Sequence, residues 1–464
     1  MAKVFRNIPS VSELLETPAL KHLVDRVHHS TIVTGVRSLL DDLRSEVQNA
    51  AAEISIPSPA ELSEQIAAKI MRNNRPKLRT ALNATGILLH TGLGRAPLSE
   101  EAVAAVAEIA RGYASVELDL GTGQRSHRTD AVAPLLCTLT GAESAIVVNN
   151  NAAATVLTLA AIAQGREVVV SRGQLVEIGG SFRLPDVMEQ SGAVMREVGT
   201  TNKTRIADFR AAITPDTGAL LRVHTSNYRV IGFTEQPTLA ELVALGKLRN
   251  VPVLDDVGSG ALINLAKYGF QDEPLIANSI SAGAAVVLFS GDKLVGGPQC
   301  GIIVGKKKWI KRLSTHPLMR AFRVDKMTLA ALHATLTILA GSAEQAEQRL
   351  PLLTLLSTPL DNLKNRAERI AAQISSAKQV ANAEAQASTA YLGGGAVPTE
   401  GIDSWCVSIE PAGLSLAQLT RLLRERTPAI VGRVQQDRLL LDLRTVPPAG
   451  DRCLVEAFVG SQDS

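Results

Sequence analysis

From about Leu82 to Gly341, short apolar runs alternate with longer segments whose apolar residues recur at helical spacing. Ala145–Asn149, Glu167–Ser171, Val194–Glu197, Ala219–His224, Val251–Asp255, Ala284–Ser290 and Gly301–Val304 read as strands, being brief and rich in branched apolar residues. Ala152–Gln164, Thr238–Arg249 and Lys326–Ala340 read as helices. Apolar strands alternating with helices predict an α/β domain around a mostly parallel sheet covered on both faces. Ahead of it the pattern is helical only. Ser10-Val-Ser-Glu13 has the form of a capping box before a helix over Glu13–Leu20, and further helices are predicted over Thr31–Ala52 and Ala60–Arg72. The polar, basic stretch from Arg72 to Arg79 reads as a linker. Beyond Ala343, helices over Leu360–Gln379 and Ser415–Glu425 interleave with strands over Trp405–Ile409, Ala429–Val434 and Arg438–Asp442, which predicts a smaller α+β domain. The expected division is 1–75, 76–342 and 343–464.

Composition narrows the function. Of the 464 residues, 45% are hydrophobic and 20% charged, which predicts packed cores rather than disorder. Aromatics are only 3%, too few for a stacking platform for single-stranded nucleic acid. A net charge of +3 leaves polyanion binding to a local basic patch. Cys137, Cys300, Cys406 and Cys453 are far apart and outside any Cys/His cluster, so neither a disulfide framework nor a metal site is expected. No apolar run follows the N-terminus, and Ala152–Ala163 and Ile280–Phe289 are too short or too polar to span a bilayer. A soluble, cytoplasmic protein with no membrane contact is the expectation.

Three segments carry candidate chemistry. In the first, a buried strand ends at Ser290-Gly-Asp-Lys293 and a Gly-rich turn leads into a second apolar strand. A lysine at the mouth of a core loses solvation, which lowers its pKa and makes it a carbonyl-reactive amine. The same segment also reads as a plain hairpin-like turn. Val147-Val-Asn-Asn-Asn-Ala-Ala-Ala154 runs from a strand into an Ala-rich helix, whose N-terminus and asparagines offer donors to a phosphate. Val251-Pro-Val-Leu-Asp-Asp-Val-Gly-Ser-Gly260 places a carboxylate at a strand's carboxyl end, where α/β sheets bind ligands, although either Asp could cap a helix. Phosphate turn, strand-end Asp and strand-end Lys, in that order, are the three parts that pyridoxal phosphate requires: an anchor, a partner for the ring nitrogen and an amine for the aldehyde.

Longer motifs sharpen this. Ile8-Pro-Ser-Val-Ser-Glu-Leu-Leu15, Asn83-Ala-Thr-Gly-Ile-Leu-Leu-His-Thr-Gly-Leu-Gly-Arg95, Ser171-Arg-Gly-Gln-Leu-Val-Glu-Ile-Gly-Gly180, Val223-His-Thr-Ser-Asn-Tyr228, Ser290-Gly-Asp-Lys-Leu-Val-Gly-Gly-Pro-Gln299 and His316-Pro-Leu-Met-Arg-Ala-Phe-Arg323 span almost the whole chain. Together they closely resemble the bacterial selenocysteine synthases, the L-seryl-tRNA(Sec) selenium transferases. The resemblance implies the aminotransferase-like fold type I of pyridoxal 5'-phosphate enzymes. It implies Lys293 as the Schiff-base lysine, Asp256 as partner of the pyridine nitrogen and Asp292 as a catalytic helper. Asn149, Asn150, Asn151, Ala152 and Ala153 would lie near the cofactor phosphate, and Ser226, with Asn227 or Glu177, near the ring. Arg95, Arg320 and Arg323 would hold the anion derived from selenophosphate; if helical, Arg320 and Arg323 would share a face. Gly92, Ser126 and Cys300 depart from the family pattern without removing a charged group, and Cys300 reads as a small residue in a packed strand.

The implied reaction is β-replacement on serine esterified to tRNA(Sec), through dehydroalanyl-tRNA, giving selenocysteinyl-tRNA for selenoprotein translation. The family further implies a ring-shaped homodecamer of dimers, and tRNA binding by residues 1–75. That region ends in Lys69, Arg72, Arg75, Lys77 and Arg79, although a dimer arm or surface helix pair reads equally well from residues alone. Two alternatives keep the scaffold. A related lyase on a small free amino acid or amino sugar would not need the helical unit, and a non-catalytic tRNA-binding protein would not need Lys293.

Overall fold

The computed structural model describes residues 8–49, 56–74, 76–179, 182–393 and 396–460. The chain divides into two compact units, Met1–Thr80 and Ala81–Ser464.

The first unit is helical. Ser10 caps the helix Val11–Leu15 by accepting the Glu13 amide. The helix expected over Glu13–Leu20 is broken in two, because Pro18 has no N–H to continue it and instead starts the helix Pro18–Lys21. The helices His29–Asn49 and Pro59–Asn73 follow. Apolar stripes bury Leu14, Leu20, Ile32, Val36, Leu40, Leu62 and Ile66 in a core of the unit's own. Ala50 to Ala52, the predicted end of the long helix, lie outside the described residues, as do Arg75 and Gly180.

In the second unit the described strands are, in chain order, β1 (Ala81–Ala84), β2 (Ser144–Val148), β3 (Glu167–Ser171), β4 (Glu177–Ile178), β5 (Phe182–Arg183), β6 (Val194–Val198) and β7 (Thr217–Val223). β8 (Val253–Gly258), β9 (Val286–Ser290), β10 (Gly301–Gly305), β11 (Val380–Gly393), β12 (Ala396–Pro411), β13 (Ala429–Gln435) and β14 (Arg438–Asp442) follow. Seven form the large sheet, in the order β2-β10-β9-β8-β7-β3-β6. All its pairings are parallel except those of β10, which runs antiparallel to both β2 and β9. The α/β domain read from the sequence is therefore present, with helices such as Asn151–Ala163 buried against the sheet.

The smaller sheet runs β1-β13-β14-β12-β11 and packs on the helix Leu360–Ile374. Two features depart from the sequence division at 76 and 342. β1, a strand not read from the sequence, lies within the expected large domain but pairs in parallel with β13 and so belongs to the smaller sheet. The helices Ala343–Arg349 and Pro351–Ser357 bury Ala346, Leu350, Leu352, Leu353 and Leu356 in the large sheet's core, so on packing grounds the smaller part begins near Leu360. No helix among the described residues is long and apolar enough to cross a membrane.

Candidate functional site

The candidate residues collect where parallel strands β7, β8 and β9 end. β9 is buried throughout, and the chain must turn sharply after Ser290. At Gly291 a Cβ would collide with the Cys300 sulfur and the Pro298 carbonyl, so only glycine fits. The Gly291 amide donates to the Cys300 carbonyl and the Gly297 amide to the Gly291 carbonyl, both at 2.9 Å. Leu294 N–H donates to the Ser259 carbonyl at 3.2 Å, and Ala96 N–H to the Asp292 carbonyl at 3.3 Å. These bonds fix the backbone on both sides of Lys293. The lysine lies in the connection between antiparallel β9 and β10, so the hairpin-like reading describes its backbone correctly. Its side chain is buried, 5% exposed, and burial with the nearby Arg95 pulls its pKa below the usual lysine value against the pull of Asp292, Asp256 and Glu273.

Asp255 and Asp256 are adjacent on β8 and point to opposite faces, as strand geometry requires. Asp255 pairs with Arg222 of β7 at 3.2 Å. Asp256 accepts from Asn151 Nδ2 at 2.9 Å and from Thr155 Oγ1 at 3.0 Å. Those donors stand four residues apart on the helix Asn151–Ala163, hence on one face. Burial raises the Asp256 carboxyl above the usual range, while Asn151, Thr155 and Lys293 oppose the shift.

The three asparagines divide their work. Asn149 is exposed at the end of β2, and its amide donates to the Phe322 carbonyl at 2.9 Å. Asn150 is the helix N-cap, accepting from the Ala153 amide at 2.8 Å, and Asn151 turns to Asp256. Any anchoring at this turn therefore falls to the helix N-terminus around Ala152 more than to the asparagine side chains. β10 passes so close that a Cβ at Gly301 would strike the Asn150 carbonyl.

The arginines make separate contacts. Arg95, in a left-handed backbone conformation with φ 62°, donates from NH1 to Asp292 Oδ2 at 2.7 Å. The helix bearing Arg320 ends at Ala321, so Arg320 and Arg323 do not share a helical face; Arg323 instead bridges Val148 of β2. Both side chains are exposed, and Arg323 lies 3.8 Å from Glu117, which also binds Arg125 and Arg128.

Ser226 is buried just after β7. Asn227 donates to the Glu177 backbone carbonyl at 2.7 Å, while the Glu177 carboxylate pairs with Arg183. His224, whose amide donates to the Asp256 carbonyl at 2.8 Å, has its pKa lowered to about 4 by burial and the nearby Arg222 and Lys293, so its ring is neutral at pH 7. His90 and His127 begin short 3-10 turns. Cys300 is fully buried with its thiol pKa pushed up by desolvation, which suits a packed residue rather than a reactive thiolate.

Sequence reasoning missed Thr155, Arg222, Glu117 and Glu273. Thr155 could have been found from its spacing four residues after Asn151. Glu273 sits in the polar run Gln271-Asp-Glu273, where nothing in the pattern marks it.

The family model described as L-seryl-tRNA selenium transferase matches residues 81–447, and one described as selenocysteine synthase N terminal matches residues 5–44. The L-seryl-tRNA(Sec) selenium transferase of Carboxydothermus hydrogenoformans is 46% identical over 449 residues, 96% of this chain and 95% of that protein. The protein of the same name from Moorella thermoacetica is 46% identical over 99% of this chain and 98% of its own length. Among solved structures, D-glucosaminate-6-phosphate ammonia-lyase aligns with TM-score 0.56 at 21% identity, covering 82% of this chain and 95% of its own, and so shares the fold.

Proposed function

The chain belongs to the L-seryl-tRNA selenium transferase family, and on that premise we propose that it converts serine esterified to tRNA(Sec) into selenocysteine, with pyridoxal 5'-phosphate as cofactor and selenophosphate as donor. The observation carrying the reading is the pairing of a buried, pKa-lowered Lys293 with a buried Asp256 at neighbouring strand ends.

The residues fit the cofactor. Asp256 is buried with only neutral hydrogen-bond donors, so a protonated ring nitrogen would supply the cation it lacks. Asn151 Oδ1 and Arg95 Nε are buried without a partner, as expected of groups that await a ligand. Lys293 would hold the aldehyde carbon, Asp256 the ring nitrogen, and the N-terminus of the helix Asn151–Ala163 the phosphate. When bound, the cofactor supplies an electron sink for the pair freed at the α-carbon. Lys293 Nζ would be placed to take the α-proton. Asn151 and Thr155 fix the Asp256 carboxylate, which would partner the ring nitrogen. Arg95 holds Asp292 beside the lysine. Borohydride reduction of the yellow protein followed by peptide mapping tests this assignment. The label is expected on Lys293, and a label on another lysine would overturn it.

The exposed Arg320 and Arg323, with Arg95, remain the proposed donor-anion pocket, now as separate groups rather than one helical grip. Arg323→Ala is expected to raise the selenophosphate concentration needed for half-maximal rate by about 10- to 100-fold, the worth of one charged hydrogen bond. Binding of seryl-tRNA(Sec), followed by filter retention, should not change. Weakened tRNA binding with unaltered donor use would make Arg323 a contact for tRNA phosphates instead.

Recognition of tRNA is proposed for the helical unit, Met1–Thr80, which has its own core. Of its basic stretch, Lys69 is paired with Asp42 at 3.0 Å, so the free positive charge is smaller than the sequence count. A protein lacking residues 1–80 should remain folded and yellow and lose tight tRNA(Sec) binding. In the intact protein, log Kobs should fall with log salt by roughly 0.9 per phosphate contacted. Undiminished binding by the shortened protein would refute the assignment. Assembly into a ring-shaped decamer and a cytoplasmic location are part of the same proposal, drawn from the family.

A further inference from the structure

We propose that Glu273 is the proton donor to the hydroxyl that leaves the β-carbon of the tRNA-bound serine, an inference that rests on the reaction proposed above. Elimination of hydroxide is slow unless a positioned acid protonates the departing oxygen. Asp292 adjoins Lys293 in sequence, but its carboxylate is committed to Arg95 at 2.7 Å. Glu273 is placed differently. Its side chain is 2% exposed, and its Oε1 is buried with no hydrogen-bond partner. A buried carboxyl with a spare oxygen is costly unless it is protonated or meets a ligand.

The surroundings favour the protonated form. The Ser259 hydroxyl, which donates to the Val257 carbonyl at 3.3 Å, is near enough to pull the Glu273 pKa down, and the Ser259 carbonyl is bound by the amide of Leu294, next to Lys293. His224 Nε2 lies 3.9 Å from Glu273 Oε2, beyond hydrogen-bonding reach, and the ring is neutral at pH 7. Glu400 brings a second negative charge, itself 3.6 Å from Arg229. Lys293 is the cation close enough to act on Glu273. Burial, with Glu400, raises the Glu273 carboxyl above the usual range, against Ser259 and Lys293. Two carboxyls near one lysine thus sit in contrasting environments, one ion-paired and one desolvated, the pattern that separates acid from base roles.

The step balances. Lys293 Nζ takes the α-proton, the C–H electron pair becomes the Cα=Cβ bond, and the Cβ–O pair leaves with oxygen. That oxygen takes the Glu273 proton and departs as water. Lys293 then carries the former α-proton and passes it to the Glu273 carboxylate, restoring both groups, so no other reactant is consumed.

The test compares leaving groups. Glu273→Gln keeps the side chain's size and its capacity to hydrogen-bond, so the protein should stay yellow with its chromophore on Lys293. On seryl-tRNA(Sec) its elimination rate should fall by about 10²- to 10⁴-fold. On β-chloroalanyl-tRNA(Sec), where chloride leaves without a proton, it should stay within about tenfold of the unmodified protein, a gap that a structural role could not produce. An equal loss on both substrates, or an unimpaired rate on seryl-tRNA(Sec), would overturn the proposal. Should Glu273→Gln be colourless, Glu273→Asp decides. This shorter acid is expected to keep the colour, the chloride rate and part of the seryl-tRNA rate, and a yellow Asp variant that loses equally on both substrates would overturn the assignment. If the unmodified protein acts on neither tRNA, the proposed reaction itself fails, an outcome distinct from failure of Glu273 alone.

Discussion

Lys293→Ala is expected to lower turnover of seryl-tRNA(Sec) by about 10⁴-fold, the upper range for losing a positioned base, and to leave the protein colourless. In the proposed mechanism the substitution would remove both the covalent hold on the cofactor and the base for the α-proton. It should not cost stability, because a buried amine with a depressed pKa is a burden to the folded state. Thermal melting should therefore be unchanged or slightly higher. A variant that stays yellow and active would mean that another lysine does this work. Adding free pyridoxal phosphate and a small amine should restore little activity, since neither holds the other in place.

Asp256→Ala should retain the fold and lose about 10²- to 10³-fold in turnover, in line with the loss of one preorganised electrostatic group. Its neighbour is the control. Asp255 is fully buried and paired with Arg222, so Asp255→Ala strands a guanidinium and should cost about 3 kcal/mol of stability, the low end for a broken buried pair, because Arg222 keeps some water contact. Kinetics at a permissive temperature and denaturant melts separate the two. The account predicts a catalytic defect for one aspartate and a stability defect for the other, and the reverse assignment would refute it.

The large sheet was legible because its strands are buried on both faces, and continuous apolar runs such as Val286–Ser290 stand out against their surroundings. Polar residues at their carboxyl ends then mark the candidate site, which is why a strand-end aspartate and Lys293 stood out from the pattern, while the choice of Asp256 over Asp255 came from the family resemblance. β11 was not legible. Its 14 residues, Val380–Gly393, are mostly small or polar and largely exposed, and pairing with β12 rather than any apolar pattern of its own makes it a strand. β1 was missed for a related reason: four residues carry too little pattern to show that they join a sheet more than 300 residues away.

Within the site, the sequence named groups but not their pairings. Asn151, expected near a phosphate, has its side-chain amide on Asp256, a pairing the sequence did not mark. Arg95, expected with Arg320 and Arg323 at an anion, pairs with Asp292, 197 residues away, a partner nothing in the sequence marked. Glu273 came from a polar loop, and its carboxylate lies 3.9 Å from His224, which follows another strand. Partnerships across long sequence separations leave no local trace, so they emerge only when the strand ends are assembled.

The central claim is that serine on a tRNA becomes selenocysteine at this site. The most direct measurement incubates the full-length yellow protein with seryl-tRNA(Sec) and selenophosphate, releases the amino acid by mild base and weighs it. The account predicts selenocysteine, dependent on both Lys293 and the selenium donor. Unchanged serine from a yellow protein that does act on a small free amino acid or amino sugar would contradict it.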